Sequence, residues 1–149
     1  MTGEAASAHY PEMLQALAEF RHRLRQFQHF SESAAEKAGL HPQQHQLLLQ
    51  IAGAPEGTPV TVGYVAERLG LRHNSVVELS ERCAAAGLVA RRHGKADRRC
   101  VLLEVSPKGR KVLEKLSIDH ARELNELAPR LIRALRQLRP RKTATLEAR

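Results

Sequence analysis

The residues whose chemistry stands out in this chain lie between positions 72 and 99. That stretch holds seven basic and three acidic residues, net +4. Arg72, His73, Asn74, Ser75, Val77, Glu78 and Arg82 fall in its first part, and Arg91, Arg92, Lys95, Arg98 and Arg99 in its second. Guanidinium and ammonium groups neutralise phosphates. An asparagine amide can pair with adenine, a glutamate can accept from cytosine, and the methyls of a β-branched valine can meet a thymine methyl. Side chains that hold a backbone beside side chains that read base edges are what recognition of double-stranded DNA requires. Glu78 has two readings: it reads a base, or it pairs with Arg82 one helical turn on. Arg82 itself is expected at a phosphate or at Glu78 rather than at a base.

Such residues need a rigid carrier. Val65, Leu69, Val76, Leu79 and Cys83 recur at helical spacings on either side of Leu69-Gly70-Leu71. Gly70 sits where one helix must stop and the chain reverse. Helices over Val62–Leu69 and about Asn74–Ala86, joined by this turn, form a helix-turn-helix, whose second helix is built for a major groove. On that helix Val76, Leu79, Ser80 and Cys83 share the inward face, and Asn74, Glu78, Glu81 and Ala85 the outward one. Leu88–Arg91 and Cys100–Val105 read as paired strands, with residues 92–99 as a basic wing between them. Lys95, Arg98 and Arg99 reach phosphates or a narrow minor groove; Arg91 and Arg92 add phosphate contacts.

The remaining chain supplies the frame. Its 149 residues and 42% hydrophobic content suffice for one globular domain. Met13, Leu14, Leu17, Phe20, Leu24 and Phe27 make an apolar stripe on a helix from Tyr10 to about Lys37, closed by Gly39. Pro42 opens a second helix bearing Leu47, Leu48 and Ile51, and Gly53–Pro59 is a breaker-rich loop. Ser106-Pro107 starts a further helix to about Glu126. Pro129 is expected to break or restart it, ahead of a last helix bearing Leu131, Ile132, Leu135 and Leu138. Residues 130–149 hold seven basic and one acidic residue, net +6. Arg130, Arg133, Arg136 and Arg139 form a ridge there that is either solvated or an added DNA contact through the basic tail, 140–149.

Other chemistries have less support. The eight histidines show no metal-ligand spacing with cysteine or carboxylate, so no metal and no cofactor is expected. His22 and His29 are candidates for lining an effector pocket. No nucleophilic triad, phosphate loop or carboxylate pair stands out, so the chain reads as a non-enzyme. Two cysteines, no apolar run of membrane-span length and no secretory pattern at the start point to a cytoplasmic protein. Cys83 belongs to the core, while Cys100 borders the wing.

The order helix, helix, helix-turn-helix, strand, basic loop, strand, helix, helix resembles the MarR family of bacterial transcriptional regulators over residues 10–138. Leu40–Leu48 is similar to that family's second-helix start, and Ala84–Val89 to its exit from the recognition helix. Asp97-Arg98-Arg99 followed by Leu103–Arg110 is similar to its wing, strand and following helix. The resemblance implies a mainly α (α+β) fold, a winged helix-turn-helix with long N- and C-terminal helices. Residues 10–37 and 107–139 would form the dimerisation unit and 40–105 the DNA-binding part of a single domain. It further implies a homodimer on a pseudo-palindromic operator, and a repressor released by a small molecule. Asp97 would fix the wing by holding Arg99 or backbone amides. The alternatives are a constitutive or architectural DNA binder and, behind it, redox or metal control.

Overall fold

A computed structural model describes residues 9–139. It contains five helices and one small sheet among the described residues: α1 Tyr10–Lys37, α2 Pro42–Ala52, α3 Val62–Leu69, α4 His73–Ala85, β1 Val89–His93, β2 Val101–Val105 and α5 Pro107–Leu138. The chain is mainly α, with the small antiparallel sheet that the sequence predicts. It divides into two compact units, residues 30–120 and the two terminal segments up to 29 and from 121. The basic tail, 140–149, lies outside the described residues.

The unit of residues 30–120 has a single apolar core. Leu47, Leu48 and Ile51 of α2, Val62 and Val65 of α3, and Val76, Leu79 and Cys83 of α4 meet Leu103 and Val105 of β2 there. Leu113 and Leu116 of α5 complete it. β1 and β2 pair antiparallel, with Val89 opposite Val105 and His93 opposite Val101. The strands sit slightly later than periodicity suggests, and the wing tip is correspondingly shorter. Gly94 N–H donates to the Cys100 carbonyl at 2.8 Å and closes it.

One pairing is not foreshadowed by alternation. Thr61 bridges Leu102, and Leu103 N–H donates to the Val60 carbonyl at 2.8 Å, so residues 60–61 are pinned to β2 by an isolated bridge. α2 is closed at its start by a capping box. Gln43 N–H donates to His41 Nδ1 at 3.3 Å, and His41 N–H donates to Gln44 Oε1 at 2.9 Å. His41 is thereby an exposed cap, whereas His45, four residues on, is buried in the core.

In the terminal unit, α1 and α5 bury Ala16, Leu127 and Ala134. Tyr10, Met13, Leu14, Leu17 and Leu24 of α1 remain exposed, as do Leu124, Ile132 and Leu135 of α5. The break expected at Pro129 does not occur: α5 runs without interruption from Pro107 to Leu138, with Pro129 inside it. Proline removes one donor, the one that would serve the Asn125 carbonyl, at a cost of about 3 kcal/mol in a helix interior. The helical turns on both sides, which carry buried Leu127 and Ala134, are enough to hold the helix through that gap.

Candidate nucleic-acid interface

α3 and α4 are positioned by local rules that the sequence carries openly. The Thr61 hydroxyl accepts from Tyr64 N–H at 3.0 Å and caps α3. Gly70 takes a left-handed conformation, φ 64°, and Leu71 N–H returns to the Ala66 carbonyl at 3.0 Å. α4 then begins at His73, one residue before its expected start. Arg72 is its N-cap and supplies no side-chain hydrogen bond. The first-turn amides of α4 are thus left without a capping side chain. Gly87, φ 73°, ends the run.

The inward face of α4 is the one the spacing predicts: Val76, Leu79, Ser80 and Cys83 are buried. Ser80 is satisfied by donating its hydroxyl to the Val77 carbonyl at 2.8 Å. Burial pushes the Cys83 thiol up to about 11, against a smaller opposing pull from Arg82. Arg72, His73, Asn74, Ser75, Glu78 and Arg82 are all exposed. Val77 is half-buried and packs against the core, so only part of it faces outward.

The ion pairs at this surface are long-range ones. Glu81 pairs with Arg91 of β1 at 3.5 Å, and Glu104 pairs with Arg92 at 3.3 Å. Arg92 stands opposite Leu102, so Glu104 is its diagonal neighbour across the sheet. Among the described residues Glu78 and Arg82 form no ion pair with each other or with any other group. Glu78 is left as an unneutralised carboxylate on the outward side of α4.

The wing has its own internal order. Asp97 Oδ1 accepts from Arg99 N–H at 2.9 Å, and the Asp97 carbonyl accepts from Cys100 N–H at 3.1 Å. His93 Nδ1 lies 2.9 Å from the Arg98 carbonyl. These contacts fold the tip on itself and leave Lys95, Arg98 and Arg99 exposed, with no carboxylate partner among the described residues. Cys100 is half-buried at the base of the tip.

Elsewhere, His22 lines a groove of about 760 Å³ in the terminal unit, with Gln15, Arg23, Arg130 and Arg133; His29 does not line it. Among the described residues, no three His, Cys, Asp or Glu side chains are grouped to hold a metal ion. No described helix is long and apolar enough to cross a membrane.

A helix-turn-helix with an exposed polar edge, followed by a two-stranded hairpin with a cationic tip, defines the class: this is a winged helix-turn-helix of the DNA-binding kind. Residues 38–99 match the model of the MarR family. A solved MarR family transcription regulator, SP03579, shares the fold with a TM-score of 0.72 at 18% identity, covering 85% of this chain and 82% of that one. MepR of S. aureus, solved as a DNA complex, has a TM-score of 0.65 at 17% identity, covering 75% and 81%. CouR of Rhodococcus jostii RHA1, solved with p-coumaroyl-CoA bound, has a TM-score of 0.57 at 19% identity, covering 76% and 83%. At these identities the structural likeness concerns the fold. No curated protein matches the sequence. The winged-helix segment thus carries the MarR-family match, and the fold is one that solved MarR-family regulators share.

Proposed function

We propose that this chain is a sequence-specific regulator of transcription that binds double-stranded DNA as a homodimer. It acts as a repressor on a pseudo-palindromic operator and is released by a small-molecule effector, in the cytoplasm and without catalysis of its own. The observation that carries the DNA reading is the division of labour at the interface. Among the described residues, Asn74, Ser75 and Glu78 form an exposed edge without ion pairs, and Lys95, Arg98 and Arg99 have no carboxylate partner on a self-ordered wing. An acidic group on a surface that meets phosphates is costly unless it accepts from a base, and cytosine N4 is the donor it fits. The uncapped first turn of α4 adds backbone amides for a phosphate.

The homodimer is supported by the terminal unit. Its helices expose a row of large apolar side chains, among them Tyr10, Leu14, Leu17, Ile132 and Leu135, whose burial is favourable. Effector release is supported by a ligand-bound relative of the same fold, CouR.

The test is capture of fragmented genomic DNA by the purified protein, with sequencing of what is retained. Anisotropy titration of the enriched fragment at several salt concentrations follows. The reading expects an inverted-repeat motif and an affinity that falls by orders of magnitude between about 50 and 200 mM salt. Binding that ignores salt, or capture without sequence enrichment, would sink it.

A further inference from the structure

Three successive carbonyls just past the end of α4 are each held by a donor from residues 106–108. The Lys108 ammonium donates to the Ala86 carbonyl at 2.9 Å. The Ser106 hydroxyl donates to the Gly87 carbonyl, and Ser106 N–H donates to the Leu88 carbonyl at 2.9 Å. The same hydroxyl accepts from Gly109 N–H at 3.0 Å, so Ser106 caps α5 while it grips the exit of α4. Gly109 is packed against this strip. A Cβ there would overlap the Leu88 carbonyl oxygen and lie 2.9 Å from Val105 Cγ1.

A helix exit is ordinarily closed by its own following residues or by water. α4 does close its inner carbonyls that way. Arg82, Cys83 and Ala84 receive Ala86, Leu88 and Gly87 N–H respectively. Past Ala85, the carbonyls of Ala86, Gly87 and Leu88 are taken instead by the first turn of another helix. α4 has 13 residues, and its base-facing candidates, Asn74, Ser75 and Glu78, lie at the opposite end. Such a helix is about 20 Å long, so a shift of about 1 Å at the anchored end turns it by about 3°. Hydrogen bonds to base edges are short and directional and sense such a turn; long, flexible arginine and lysine side chains on phosphates do not.

We propose that Lys108 is a positioning residue for sequence-specific DNA binding. Together with Ser106 it locks the exit of α4 to the start of α5 and so fixes the angle at which the reading edge meets the groove. The inference rests on the DNA-binding function proposed above. It differs from the simpler role of an exposed lysine, a direct phosphate contact, in what it does to specificity and to salt dependence.

The test compares Lys108→Met, which keeps the side-chain length but removes the donor, with Lys108→Arg, which restores one. The DNA is the fragment enriched from genomic capture and a scrambled duplex of equal length. Lys108→Met is expected to weaken the enriched fragment about fivefold and the scrambled duplex less than twofold, with the salt slope unchanged and Lys108→Arg close to the parent. Amide exchange at Gly87 and Leu88 is expected to quicken in Lys108→Met, with or without DNA. Equal weakening on both duplexes with a salt slope smaller by about one makes Lys108 a phosphate contact and overturns the proposal. Unchanged discrimination overturns it too. If the parent chain shows no salt-sensitive binding at all, the function beneath the proposal fails first, and that outcome is seen before any variant is compared.

Discussion

The imidazoles of His45 and His120 stand with ring centroids 4.8 Å apart and planes tilted by 55°, inside the unit that carries α4. The Leu116 carbonyl can only accept, so at 2.6 Å it fixes the proton on His120 Nδ1, and in the neutral ring Nε2 accepts from the Ser31 hydroxyl at 2.8 Å. Phe30 meets the same ring edge-on at 5.2 Å. His45 is 2% exposed, and among the described residues its Nδ1 has no hydrogen-bond partner. Burial, reinforced by His120, pushes the His45 imidazole down to about 4 from 6.5.

A pH prediction follows from that depression. Below 6.5 the unfolded chain takes up a proton at His45 while the folded chain does not until about 4. Stability contributed by this site is therefore complete above 6.5 and is lost as pH falls towards 4, by on the order of 3 kcal/mol over the whole window. Urea denaturation at pH 7, 5.5 and 4.5 measures it. His45→Leu, which also removes the unpartnered nitrogen, is expected to flatten the difference between pH 7 and 4.5 relative to the parent. A variant with the parent's full pH slope would contradict the assignment.

Reading and holding should separate by mutation. Asn74→Ala is expected to lower the ratio of affinities for the enriched fragment and for random DNA by about tenfold, consistent with about 1–3 kcal/mol for a bidentate base contact. Lys95→Ala is expected to weaken both DNAs alike and to reduce the salt slope by about one. Competition anisotropy reads both. Equal loss of discrimination from the two changes would remove the distinction between helix and wing.

Gly109→Ala reverses the usual sign of its substitution. In an open helix the change gains about 1 kcal/mol. Here the added methyl meets the Leu88 carbonyl and Val105. Thermal unfolding is expected to show a loss of about 1–3 kcal/mol, the cost of overpacking. A rise in midpoint would mean that β1 and α5 separate more readily than their packing indicates.

The two thiols should differ in reactivity. Cys83 is buried on the inward face of α4 with its thiol pushed up to about 11, so almost none of it is thiolate at neutral pH. Cys100 is partly accessible. Titration with a chromogenic disulfide is expected to label Cys100 in the native protein and Cys83 only after denaturation, and mass mapping distinguishes the sites. Rapid native labelling at Cys83 would show that α4 opens from its core.

Much of this fold is legible in the sequence because its determinants are local. Gly70 marks its turn, Thr61 and Ser106 mark their caps, and the spacing of Val76, Leu79 and Cys83 separates the faces of α4. The family resemblance drew the same frame. What was not legible depends on approach across the chain. Nothing near Arg91 or Arg92 announces Glu81 or Glu104 as partners, and nothing near His45 announces His120. Residues 60–61 meet β2 through an isolated bridge, too short for alternation to mark and placed just after a run of glycine and proline. Pro129 reads as a break because propensity counts the lost donor and not the packed turns on either side. Of the candidate interface, exposure and the core-facing side are predictable; whether Glu78 and Arg82 pair depends on side-chain rotamers that spacing does not fix.

Thr61 belongs to two structures at once: its hydroxyl caps α3, and its backbone bridges Leu102 in the sheet that ends in the wing. Val60 beside it accepts from Leu103. α3 and the hairpin that ends in the wing therefore share one fulcrum at residues 60–61, so that a tilt of either lever loads the other.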